Sequence, residues 1–167
     1  MASGVLILLL ASLGFAESSV SATQKEIDRT VWKEFQSAFE RLDGEALNAV
    51  YADTVLRVTP EGLDTNSKFK LTNGSRFKEN ITNGDRISLD FWFDSRHTNM
   101  TTSYDVGFYR VSVTTSLGAT THFYGQFHIV LRKIKDHWKI VQDWDTASIG
   151  GRPITAEDFA RQSPVEF

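Results

Sequence analysis

The run of residues 102–145, TSYDVGFYRVSVTTSLGATTHFYGQFHIVLRKIKDHWKIVQDWD, constrains the fold more than any other part of the chain. It reads as three successive strands joined by short loops, and strands joined this way pair most simply as an antiparallel meander. In the middle strand Phe123, Gly125, Phe127, Ile129 and Leu131 alternate with His122, Tyr124, Gln126, His128 and Val130, the period of two of a half-buried sheet. In the last strand a strict period of two puts Trp138, Ile140, Gln142 and Trp144 on one face, and Asp143 and Asp145 on the other. Gly107 and Gly125 sit inside strands, where glycine marks a bulge, sharp curvature or the close approach of another group. Upstream, Ile87, Leu89, Phe91 and Phe93 alternate with Ser88, Asp90, Trp92 and Asp94, which predicts a further strand.

Helices precede these strands. Over residues 24–42, Ile27, Val31, Phe35, Ala38 and Leu42 recur at helical spacing, and Trp32 and Phe39 widen the apolar face. A face that wide suits packing on a sheet. Asp43 can cap a short second helix over 45–51, followed by a short strand over 55–59 and a Pro60–Glu61–Gly62 turn. Residues 63–84 are the least regular stretch. In the tail, Thr155 and Asp158 have capping-box spacing ahead of Phe159. Helices first and a bent antiparallel sheet after is an α+β order, with room for a pocket between the helix and the concave sheet face.

The chain has 167 residues, enough for one domain, and a formal net charge of −3. Scattered basic residues give no field for nucleic acid. The absence of cysteine excludes thiolate chemistry and Cys-ligated metal. His122 and His128 would lie about 20 Å apart on an extended strand, too far to share a metal, and no phosphate or dinucleotide loop is present. No metal or cofactor is therefore expected. The apolar run GVLILLLASLGF, residues 4–15, has the length of a secretory signal and is too short for a bilayer span. Residues 1–22 read as a signal peptide and mature tail, 23–150 as the domain and 151–167 as a C-terminal extension. Secretion or a periplasmic location follows, with no membrane attachment after cleavage. Asn73, Asn80 and Asn99 stand in sequons.

The helix sequence VWKEFQSAFERLDGEALNAVYAD, the strand VLRVTPEG, and the pair GFYRVSVTTS and THFYGQFHIVLRKIKDHWKIVQDWD together resemble the nuclear-transport-factor-2-like (NTF2-like) superfamily, specifically its SnoaL-like and DUF4440-type branch. The resemblance spans about 120 residues, one domain's worth. It implies a cone-shaped roll in which N-terminal helices pack on a strongly curved antiparallel sheet, and a homodimer. Some members are isomerases, cyclases, dehydratases or hydrolases; many others bind ligands or serve as accessory domains. In ketosteroid-isomerase-like members a pocket carboxylate is the base, a place the resemblance gives to Asp53, with Tyr109 as candidate donor. Asp53 also reads as a helix-end residue bonded to nearby backbone.

Trp32, Tyr51, Phe91, Phe127, Gln142 and Trp144 are the candidate ligand-binding residues. Their aromatic bodies and polar handles fit a small apolar or amphipathic organic molecule, although ordinary core packing accounts for most of the chain's aromatics. Two functions stay open: ligand binding without chemistry, and cofactor-free proton transfer on a small apolar carbonyl compound, as an isomerase, cyclase or dehydratase would perform it. Intact-mass analysis of exported protein is expected to show a mature chain beginning near Glu17 or Thr23; retention of Met1 in the functional form would contradict the signal reading.

Overall fold

The computed structural model describes residues 21–167; the apolar run of the signal reading lies outside the described residues. Helix α1 covers residues 21–40. Its turn Asp28–Trp32 is π-helical and its last part, Lys33–Glu40, is regular. A π turn inserts an extra residue into the helical repeat, and Val31 and Trp32 are both fully buried there. The side chain of Asp43 accepts from the backbone N–H groups of Glu45 and Ala46 at 3.1 and 2.9 Å, so it caps α2, Gly44–Ala49, as the sequence predicts. Strands β1, Tyr51–Thr59, and β2, Gly62–Asp64, form a hairpin. Two short helices follow, α3 at Phe69–Arg76 and α4 at Lys78–Asn83, the latter closed by Gly84 with φ 69°.

The meander is β3 at Arg86–Thr98, β4 at Thr102–Thr114, β5 at Thr120–Ile134 and β6 at His137–Thr146. Each pairs antiparallel with the next. The complete sheet is different from the expectation of a strongly curved antiparallel roll. Its order is β2-β1-β6-β5-β4-β3, and β1 runs parallel to β6. The sheet is mixed and open: β2 and β3 are its edges and do not pair, so it is neither closed nor strongly curled into a cone. The reason is non-local. A parallel neighbour needs a crossover, and the alternation within β1 carries no mark of which distant strand it will join.

The two interior glycines serve close approach. A Cβ on Gly107 would lie 2.1 Å from the Trp92 carbonyl oxygen, beside a register shift between Phe93 and Ser95 of β3. A Cβ on Gly125 would lie 2.3 Å from the ring of Tyr109, its partner across β4 and β5, so that ring occupies the space over the glycine. The core lies between α1 and one sheet face, where Ile27, Trp32, Leu89, Phe91, Phe127, Leu131, Trp138 and Ile140 are buried. Trp32 is the hub. Its ring meets Phe91, Phe93 and Phe127 at centroid distances of 5.0, 5.0 and 5.1 Å, and its Nε1 donates to the buried carboxylate of Asp105 at 2.8 Å. Asp105 also accepts from Ser103 and Arg96, which meets the demand that a buried charge be paired.

The other sheet face is partly covered by the C-terminal segment. Ser148–Ile149 and Arg152–Pro153 form a small ribbon, β7 and β8. A 3₁₀ turn at Ala156–Asp158 then has the capping box read from Thr155 and Asp158. Ile154 and Phe159 bury Trp92 from outside. The chain next rounds the β3 edge, where Val165 N–H donates to the Phe91 carbonyl at 2.9 Å and Phe167 packs against Phe91 and Phe93. Gly107→Ala is expected to force apart β3 and β4, because backbone lies in the way of the methyl. An overpacking loss of about 1–3 kcal/mol should appear in urea denaturation, and wild-type stability of the variant would refute the close-approach reading.

Candidate functional site

The inner sheet face and α1 leave a recess whose walls are Trp32, Phe35, Phe39, Phe91, Phe127 and Ile129. Its polar members are Tyr51, Arg57, Arg76, Tyr109, Asp143 and Asp145. The recess contains about 500 Å³ of empty space out to its open mouth, of which about 60 Å³ is open to the centres of water-sized groups. That is room for a few waters or one slender organic group.

The carboxylates reach this recess through a single irregularity. Val130 of β5 pairs with Gln142 and Leu131 with Ile140, so Val141 is an extra residue on β6. Two residues opposing one reverse the alternation beyond that point. Trp138 and Ile140 therefore share the core face with Asp143 and Asp145, while Gln142 and Trp144 turn outward. The face assignment read from a strict period of two fails here for that reason.

Arg57 on β1 lies beside Asp143 across the parallel β1–β6 pair. It forms ion pairs with Asp143 and with Asp145, the latter at 2.7 Å. Tyr51 donates its hydroxyl proton to Asp143 Oδ2 at 2.7 Å. Burial works against the charge of Arg57, but the two carboxylates more than offset it and hold its pKa above the ordinary value. Burial pushes the Asp145 carboxyl up; Arg57 pulls it back in part and the neighbouring Asp143 charge adds to the rise. Tyr51 is raised well above its usual range by burial and then by the Asp143 charge. Burial, helped by Asp145, lifts Tyr109 to about 12. Both phenols are therefore neutral donors at neutral pH, in one recess with a carboxyl that takes a proton more readily than usual.

Five of the candidates read from sequence come together here: Trp32, Tyr51, Phe91, Phe127 and Tyr109. The other three lie elsewhere. Asp53 is exposed and borders a separate groove with Lys70, Lys135, His137 and Lys139. It is on β1 beyond the buried Tyr51 and Ala52, and its carbonyl accepts from Ser67 Oγ at 3.2 Å. Lys70 in that groove donates to the Ala52 carbonyl at 2.5 Å, and burial lowers its pKa. Gln142 and Trp144 line a hollow on the outer face with Val58, Tyr104 and His128, where the Tyr104 hydroxyl and His128 Nδ1 are 2.6 Å apart.

Arg57, Arg76, Asp143 and Asp145 are the residues missing from the sequence-derived site. A signal for Arg57 existed: it shares the inward parity of Val55 on a strand, and a cation there requires a carboxylate nearby. Asn73, in one of the sequons, is buried and donates its amide to Asn48 Oδ1 at 2.9 Å; Asn99 is exposed. Among the described residues no cluster of His, Asp or Glu has the arrangement of a metal site.

No protein-family model and no curated protein sequence matches the chain. Its fold is shared by solved structures of NTF2-like proteins. An NTF2-like protein with a cystatin-like fold from Novosphingobium aromaticivorans is 14% identical, with 89% of this chain and 94% of that one covered at a TM-score of 0.64. An NTF2-like superfamily protein from Salmonella enterica is 15% identical over 79% of this chain and 98% of its own, with a TM-score of 0.60. A ketosteroid isomerase-like protein from Erwinia carotovora is 16% identical over 73% and 93%, with a TM-score of 0.53. At these identities the likeness is one of fold.

Arg57→Met should strand two carboxylates in the core. A loss of about 3–5 kcal/mol is expected near pH 7. The deficit should shrink in mild acid, because Asp145, whose carboxyl burial already pushes up, then takes up a proton in the folded variant. In the wild type the sign for Asp145 alone is fixed by its raised pKa. Its favourable contribution is complete below the unfolded carboxylate value and is lost as pH rises through the higher folded value. Chemical denaturation of both proteins from pH 4 to 7 measures the difference, and a pH-independent deficit would refute the stranded-carboxylate account.

Proposed function

We propose that the chain is an exported, homodimeric small-molecule-binding domain of the NTF2-like kind, of the SnoaL-like or DUF4440-type branch, and that its ligand enters the recess beneath α1. One observation carries the reading: an aromatic recess keeps residual space directly over the buried Asp143, its half-buried partners Arg57 and Asp145, and two neutral phenols. A core built only for stability gains nothing from ionised groups facing a void, whereas a binding site is mostly apolar with a few converging polar groups. The exposed hollow around Tyr104, His128 and Trp144 supports self-association through the part of the outer sheet face that the C-terminal segment leaves open. The export part rests on the apolar run at residues 4–15.

A second reading is proton transfer on a small apolar carbonyl compound, as in an isomerase, cyclase or dehydratase. Its support is the raised Asp145 carboxyl in one recess with the neutral Tyr109 hydroxyl. The candidate base is then Asp145 in place of the exposed Asp53. A carboxylate with a raised pKa is the better proton acceptor, and a neutral phenol can donate to a developing oxyanion.

Native mass spectrometry of protein purified from its source is expected to retain a small organic molecule, and Trp32→Ala, which opens the aromatic wall, should lose it. If that molecule has hydrogens next to a carbonyl, their exchange with deuterated water should be accelerated by the wild type and fall at least 100-fold in Asp145→Asn, in the range of a general-base contribution. Asp53→Asn should leave exchange unchanged. Ligand retention without accelerated exchange would leave binding as the function and remove the catalytic reading.

A further inference from the structure

The recess does not end at its aromatic walls. Arg57, Arg76 and Tyr51 line it and also line an adjoining hollow, completed by Phe69, Thr72, Asn73 and Ser75. This vestibule contains about 690 Å³ of empty space out to its open mouth. A second hollow, lined also by Phe77, Asn80, Ile87 and Phe123, meets the recess at Phe39, Arg76, Tyr109 and Val111, so Arg76 borders both spaces into which a ligand anchored in the recess can extend.

The chemistry of the vestibule is one-sided. It contains two guanidinium groups and no carboxylate; Asp143 and Asp145 face the recess. The hydroxyl groups have spent their donors, and the buried Asn73 amide has spent one of its two. Thr72 gives its hydroxyl proton to the Phe69 carbonyl at 2.7 Å, Ser75 gives its own to the Thr72 carbonyl at 3.0 Å, and Asn73 donates to Asn48. The charged donors are those of the arginines. Arg57 spends part of its fork on Asp143 and Asp145.

Arg76 is different. It is the last residue of α3 and is exposed. Its guanidinium lies over the Phe39 ring at 5.0 Å, and among the described residues it has no carboxylate within ion-pair distance. A guanidinium held over a ring face keeps its N–H donors available, and such donors suit two-point binding of a carboxylate. Arg57 already serves Asp143 and Asp145, whereas among the described residues Arg76 is in no ion pair, so a bound monoanion would supply the partner that Arg76 lacks.

We propose that the vestibule is an anion subsite and that the ligand is an amphipathic monocarboxylate, its aromatic or alkyl body in the recess and its carboxylate held by Arg76 with Arg57 behind it. This rests on the reading that the recess receives an organic molecule, and it names that molecule's class.

Three probes of one shape separate the two claims: phenylacetate, phenylacetamide and phenethylamine. Their binding is measured by ligand-observed NMR and calorimetry on the wild type, Arg76→Gln and Arg76→Lys. The wild type should bind phenylacetate at least tenfold more tightly than the amide, about 1.4 kcal/mol, and should not prefer the amine. Arg76→Gln should abolish the preference and leave the weaker amide affinity unchanged; Arg76→Lys should retain part of it. Because Arg76 is exposed, unchanged thermal unfolding should accompany the loss. Equal affinity for acid and amide, unaffected by Arg76→Gln, would overturn the anion subsite and leave the recess as a binding site. Preference for the amine would overturn the ligand class. Binding of none of the three, with native mass spectrometry also showing no retained molecule, would overturn the subsite and the binding reading together.

Discussion

Val141 has no partner of its own in the β5–β6 ladder, and the polar part of the candidate site depends on that extra residue. Without the bulge Asp143 and Asp145 would point away from α1 with Gln142's present orientation exchanged for theirs. With it, two carboxylates lie under an aromatic helix face, where they need a cation. Arg57 supplies it because the parallel pairing of β1 with β6 sets it beside Asp143. The ion pairs in turn fix Tyr51 through its bond to Asp143. Bulge, parallel neighbour and half-buried guanidinium form one arrangement, in which removing any member leaves the others unsatisfied.

The apolar wall of the recess has its own anchor. Trp32 projects from the π turn of α1 into a set of phenylalanine rings and is tied by its indole N–H to Asp105. That carboxylate is held by Arg96, which also meets Asp28 on the same helix at 2.7 Å. The helix is thereby fixed to the sheet by polar contacts at one end of the aromatic cluster, and the recess opens at the other, toward Arg76 and α3. A void in a well-packed interior is costly, and its persistence beside ionised groups is the physical reason for assigning a ligand to it.

Much of the local structure was legible. The helix over 24–42, the Asp43 cap, the four meander strands and the Thr155–Asp158 capping box follow from period and cap chemistry, both short-range. Trp32, Phe91 and Phe127 were legible as residues on the apolar faces of the helix and strands, whereas Tyr109 came from the resemblance. Asp53 was placed by resemblance, and its exposed position shows that a residue after a short helix need not face the pocket. Gln142 and Trp144 were assigned by counting in twos through a bulge, and nothing in KIVQDWD marks which residue is the extra one.

The amino-acid sequence by itself determined the elements, the α+β order and the aromatic character of the inner sheet face, because each depends on neighbours a few residues apart. It marked Gly107 and Gly125 as special strand positions, and the structure decided among bulge, curvature and close approach. Only the tertiary structure decided that the sheet is open and mixed, that β1 joins β6, and that Asp143 and Asp145 turn inward to meet Arg57. Those outcomes depend on pairing between strands more than 80 positions apart. At that separation the local pattern is compatible with several partners, and packing selects one.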